Sequence, residues 1–192
     1  IINMEGVYGK SRIVDPKIAT WRSERKHSGG GILLDQGIQM LDLMRLFCGE
    51  FHDVQSFISD DFWQHDVEDN AFAIMKDDRG RIASIHSSGT LWEHNFFLHI
   101  YLTKGYIKLS GLLTNSRSYG EEILTIGMRN DSDHGVLESR TMKYLEDNSW
   151  EKEINEFADA ITRQVPIKFG TSADALATMQ LVYRIYFADP KW

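Results

Sequence analysis

Seven short β-rich segments follow one another between residues 52 and 145, and this rhythm limits the chain to folds built on one large sheet. They are HDVQSFIS (52–59), DNAFAIMK (69–76), RIASIHSS (81–88), NFFLHIYLT (95–103), YIKLSGLL (106–113), EILTIGMR (122–129) and SRTMKYL (139–145). The joints KDDRGR and TKGY are compact, with a glycine for the left-handed residue of a hairpin, so their flanking strands pair antiparallel. A further strand-like stretch, residues 2–14, precedes them with Gly9 as a bulge or kink, and residues 15–30 read as loop.

Helices frame the sheet. One spans 31–48, with Leu34, Ile38, Leu41 and the stem of Arg45 as its buried stripe, Leu33, Met44 and Phe47 widening it, and Gly49 as its C-cap. SWEKEINEFADAITRQ (149–164) gathers Trp150, Ile154, Phe157, Ala158 and Ile161 on one face, and 171–189 opens with a capping-box pair, Thr171 and Asp174. Pro166 separates the last two. The expected fold is α+β, a single domain over 1–192 whose open-faced, mostly antiparallel sheet carries helices on one face. The other face holds enough Phe, Tyr, Ile and Leu to predict burial by self-association, as a homodimer or homotetramer.

Composition excludes several classes. A net charge of -7 and a pI near 5.5 give no positive field for nucleic acid or an anionic membrane. The basic stretch RSERK (22–26) is either a solvated loop or a partner for a carboxylate or phosphate on a small ligand. The lone Cys48 cannot form an internal disulfide and lies in an apolar run, which predicts a buried, inert thiol. No run of 18 apolar residues and no signal peptide are readable, so a cytoplasmic location is expected. The first residues, from Ile1, already read as the middle of a strand, which predicts a piece of a longer protein.

Chemistry concentrates in GGGILLDQGIQMLD (29–42), where Asp35, Gln39 and Asp42 recur at i, i+4 and i+7 on one helix face. Such a row is either a wet face or a set of hydrogen-bonding groups presented to a ligand. Other signatures are missing. The glycines 29 and 31 are followed by Leu34 where a dinucleotide fingerprint needs a third glycine, and loop precedes them instead of a strand. The seven histidines show no metal-binding spacing, and no G-x-S-x-G elbow is present.

Read from Trp21 to Asp42, W-R-x(6)-G-G-G-x(3)-D-x-G-x-x-x-L-D resembles the core motif of the glucose-fructose oxidoreductase, inositol dehydrogenase and rhizopine-catabolism (Gfo/Idh/MocA) family. The resemblance continues through VEDNAFAIMKDDRGRIASIHSS, WEHNFFLHIYLTKGYIKLSG, SWEKEINEFADAI and DALATMQLVYRIY. It implies the C-terminal substrate domain of an oxidoreductase, with NAD or NADP held mainly by a separate N-terminal Rossmann domain. That first domain carries the lysine of a Glu-Lys-Pro motif central to proton transfer. Without it, these residues alone are expected to be inactive.

The resemblance also implies roles. Asp35 matches the active-site aspartate, and Gln39 stands where the family usually has a catalytic histidine. A histidine can take a proton near neutral pH, whereas a glutamine amide only donates and accepts hydrogen bonds, so Gln39 orients a substrate without ionising. Lys10, Trp21 and Arg22 are the implied substrate-binding residues, although Trp21 reads equally well as a loop aromatic plugging the core. Gly30 and Gly31 are the implied cofactor-proximal residues, bare so that a nicotinamide or sugar ring can approach. Two functions follow: hydride transfer at a secondary alcohol of a sugar, nucleotide sugar or cyclitol, or a catalytically silent sugar-binding module.

Overall fold

The computed structural model describes residues 1–11, 21–130 and 137–192. Eight strands form one sheet in the order β2-β3-β4-β1-β5-β6-β7-β8. They are β1 (Asn3–Ser11), β2 (Asp53–Ser59), β3 (Asn70–Lys76), β4 (Ile82–Ser88), β5 (Thr90–Leu102), β6 (Gly105–Ser110), β7 (Glu122–Arg129) and β8 (Leu137–Tyr144). Every pair is antiparallel except β1 with β4. Both predicted hairpins form, and the register of β1 against β5 shifts between Gly9 and Ser11, where the bulge was expected. Residues 12–14 of that predicted strand lie outside the described residues.

Alternation decides which sheet face is covered. Met4 and Tyr8 of β1, Ala71, Ala73 and Met75 of β3, Ala83 and Ile85 of β4 and Phe96, Leu98 and Ile100 of β5 are all buried. Over them lies α2 (Ile38–Cys48), with Met40, Leu41, Met44 and Cys48 inward. Gly6 makes the approach possible, since a Cβ there would meet Met44 Cε at 2.6 Å and Met40 Sδ at 2.7 Å. Alongside runs α4 (Ser172–Ala188), which buries Leu181, Val182 and Ile185 and opens with the predicted Thr171–Asp174 capping box.

Four sequence expectations need correction. Residues 21–28 are not plain loop: a 3₁₀ turn, Trp21–Ser23, and a single helical turn, α1 (Arg25–Ser28), occupy them, while 15–20 lie outside the described residues. The first long helix does not start as an α-helix, because Leu33–Gly37 form a π-helical turn. Its buried stripe is centred on Leu33, Met40, Leu41 and Met44, with Leu34 and Ile38 only half-buried and Phe47 exposed. Finally, α3 (Ser149–Arg163) has the predicted apolar face, but among the described residues nothing buries it: Trp150, Ile154, Phe157 and Ile161 stay exposed.

Candidate functional site

The glycine loop is bare for reasons internal to the protein. A Cβ on Gly30 would collide with the Tyr186 hydroxyl, and one on Gly31 with the backbone and carboxylate of Glu68. Glu68 lies in the β2–β3 connection, 2% exposed, and receives the amides of Gly31 at 2.7 Å and Leu33 at 2.9 Å. The Tyr186 hydroxyl of α4 donates to the same carboxylate at 2.7 Å, and the Ile32 amide donates to the Glu68 carbonyl oxygen at 3.2 Å. These contacts take up the free amides that open the π-turn.

That turn carries Asp35, whose own amide donates to the Gly31 carbonyl at 2.9 Å. Lys10, at the far end of β1 on the helix-covered face, donates from Nζ to Asp35 Oδ2 at 3.1 Å. Arg22 Nε stands 3.8 Å from Oδ1, and its guanidinium lies 4.5 Å above the Trp21 ring. Asp35 is 35% exposed and Lys10 21%, so the pair is neither sealed nor fully solvated. Trp21, Arg22, Ser28, Gly30, Gly31, Leu34 and Asp35 line a hollow of about 140 Å3. The structure thus gathers Lys10, Trp21, Arg22, Gly30, Gly31 and Asp35 around one point. Trp21 does not plug the core; it is 56% exposed.

Gln39 and Asp42 go elsewhere. They line a wider groove of about 790 Å3, mostly apolar, with Ile38, Leu43, Phe96, Leu112 and Met179. Seven residues at about 1.5 Å of rise each carry the stripe roughly 10 Å along its axis, too far for one small hollow to take all three groups. Asp42 is occupied by the fold: Thr178 Oγ1 donates to it at 2.6 Å, and Arg45 Nη1 donates to Thr178 at 2.6 Å, tying α2 to α4.

Beside Asp35 stands a set of groups the sequence did not single out. Gln36 Nε2 donates to the Tyr119 hydroxyl at 3.0 Å, and Tyr119 meets the Tyr8 ring edge-on at 5.5 Å and the His94 ring at 4.8 Å. Burial, with the nearby Tyr119 and the Asp35 charge, pushes the Tyr8 hydroxyl up to about 12, and burial likewise raises Tyr119. Both phenols therefore stay protonated and do not act as bases at neutral pH. Tyr119 sits in GLLTNSRSYGEE, 83 residues from Gln36, so only the fold reveals the contact.

The room for a nicotinamide cofactor at these residues is small. Complete small-molecule sites occupy roughly 300–1,000 Å3, so a hollow of about 140 Å3 beside a bare backbone suits one ring-sized group and not a whole dinucleotide. The residues present fit the reactive end of such a cofactor only. Among the described residues, no group of three or more His, Cys, Asp or Glu is placed to hold a metal ion, and no helix is long and apolar enough to cross a membrane.

The family model of the GFO/IDH/MocA C-terminal domain matches residues 1–108, more than half the chain. The chain belongs to the Gfo/Idh/MocA family. No curated protein sequence matches it. Solved structures with the same fold include levoglucosan dehydrogenase in complex with NADH and levoglucosan, with TM-score 0.80 and 18% identity over 99% of this chain and 56% of that one. Aldose-aldose oxidoreductase from Caulobacter crescentus gives 0.75 and 22%, covering 97% and 52%. UDP-N-acetylglucosamine 3-dehydrogenase from Acidithiobacillus ferrooxidans gives 0.75 and 18%, covering 97% and 54%. The chain thus spans about half the length of these solved structures.

Proposed function

We propose that this chain is the substrate and oligomerisation domain of an NAD(P)-dependent dehydrogenase acting at a secondary alcohol of a sugar, nucleotide sugar or cyclitol. The observation that carries the reading is Asp35, held by Lys10 and flanked by Arg22, at the rim of the hollow beside Gly30 and Gly31. Neighbouring dehydrogenases and oxidoreductases whose names include sugars and NADH support it.

In this reading Asp35 accepts a hydrogen bond from the reacting hydroxyl, and Lys10 holds the carboxylate in place. Trp21 offers a flat face to the sugar ring, and Arg22 meets a carboxylate or phosphate on the substrate. Gln39 orients a more distant part of the ligand by hydrogen bonding alone. The nicotinamide, when bound, supplies the two-electron exchange, and the backbone of Gly30 and Gly31 forms the wall that its ring would meet. The residue that finally takes the proton lies in the first domain.

The non-ionising Gln39 also favours a second reading, in which the hollow binds a sugar and turns nothing over. Incubating the intact protein with NAD and NADP and a panel of sugars, nucleotide sugars and cyclitols, while following absorbance of the reduced cofactor, separates the two. Sustained reduction with at least one substrate is the expected result. Tight sugar binding by calorimetry with no reduction by any member of the panel would establish the silent binder instead.

A further inference from the structure

Glu68 is a carboxylate that the reading above leaves without a role. It is 2% exposed, and the groups that donate to it are two backbone amides and a phenol, all uncharged. Burial pushes its carboxyl above the ordinary value, against the pull of those donors. The folded state therefore binds the Glu68 proton more tightly than the unfolded chain does. Stability falls as pH rises from the ordinary carboxylate value through the raised one, so ionising this side chain costs the fold stability. A surface cap from Ser, Thr or Asn would satisfy a helix start without that cost.

Its geometry supplies the reason. One side chain grips three elements together: the glycine loop through Gly31, the π-turn through Leu33, and α4 through Tyr186. Asp35 follows two residues after Leu33 and is hydrogen-bonded back to Gly31, so both ends of the short segment that aims it are tied to Glu68. Single π-turns of this kind are frequent at functional sites, and their unusual hydrogen bonding needs support from outside the helix.

We propose that Glu68 is a positioning residue: clamped by Gly31, Leu33 and Tyr186, its buried side chain fixes the π-turn so that Asp35 meets Lys10 at the hollow. The role rests on the dehydrogenase reading only for its catalytic consequence; the clamp itself is a matter of structure. Glu68→Gln keeps the shape but turns an amide NH2 toward an N–H donor, which breaks one of the two backbone contacts.

In the intact protein, amide hydrogen exchange at Gly31 and Leu33 in Glu68→Gln should quicken at least tenfold while exchange in β5 stays unchanged. With a sugar substrate, kcat should fall by about 10²-fold, the cost of an ångström-sized misplacement, with KM within a few-fold. Tyr186→Phe, which removes one donor and keeps the ring, should move both readouts the same way by less. Unchanged exchange at Gly31 and Leu33 would overturn the clamp, and a rise in KM alone or an unchanged kcat would overturn the positioning of Asp35. If the wild type reduces no cofactor, the dehydrogenase reading fails by itself, and the exchange result, with the Lys10–Asp35 contact in a crystal structure of Glu68→Gln, still decides the clamp.

Discussion

Gly31 and Gly49 show two different needs for the same residue. At Gly31 a Cβ would strike the Glu68 backbone, whereas Gly49 has φ +78 with nothing within 4 Å of a Cβ. Gly31→Ala therefore overpacks a rigid contact and should cost about 3 kcal/mol, while Gly49→Ala meets only left-handed strain and should cost about 1 kcal/mol. Thermal denaturation should rank them in that order; equal shifts would mean that Glu68 yields freely. That Asp35, Trp21 and Arg22 lie together was readable in advance because their motif is local, and the burial of Cys48 because its run is apolar. Glu68 was not, because its meaning lies in contacts 35 and 37 residues away along the chain. The only trace was an acidic pair placed just before the apolar strand NAFAIMK.

Local periodicity found the strands and hairpins well because each hairpin is closed by its own turn. The β3–β4 turn is an example: Asp77, buried, takes the amides of Arg79 at 2.9 Å and Arg81 at 2.8 Å and pairs with the Arg81 guanidinium. Burial pushes its carboxyl up, but the hydrogen bonds and the guanidinium outweigh this and hold it below the ordinary value. A depressed folded pKa contributes stability that is complete above the unfolded value, near pH 4, and is lost as pH falls through the folded one. Asp77→Asn should thus lower the melting temperature at pH 7 and flatten its fall below pH 4; an unaltered acid limb would count against the turn. At the other end, Thr171→Ala should cost about 1 kcal/mol by removing the cap of α4. The π-turn is not legible at a uniform 3.6-residue period, and although α3 itself is legible, the exposure of its apolar face is not, because an apolar stripe says that a face wants cover without saying what covers it.

Taken as one body, the chain leaves a sheet face bare, with Phe57 79% exposed and Phe72, Ile74 and Ile82 beside it. Burying that face against a second copy is our proposal for the assembly, and Phe57→Glu with Ile74→Lys should lower the mass measured by light scattering to that of one subunit. A wild type already monomeric at micromolar concentration would exclude it. The hollow, in contrast, is read as one part of a site completed by another domain, and this is where the chemistry is decided. The most direct measurement is the steady-state rate of cofactor reduction by the intact protein with Asp35→Asn, at saturating sugar and with sugar affinity measured alongside. A fall in kcat of about 10²–10⁴-fold with affinity largely kept is predicted for a group that touches the reacting hydroxyl. Unchanged kcat would place the reacting hydroxyl somewhere other than beside Asp35.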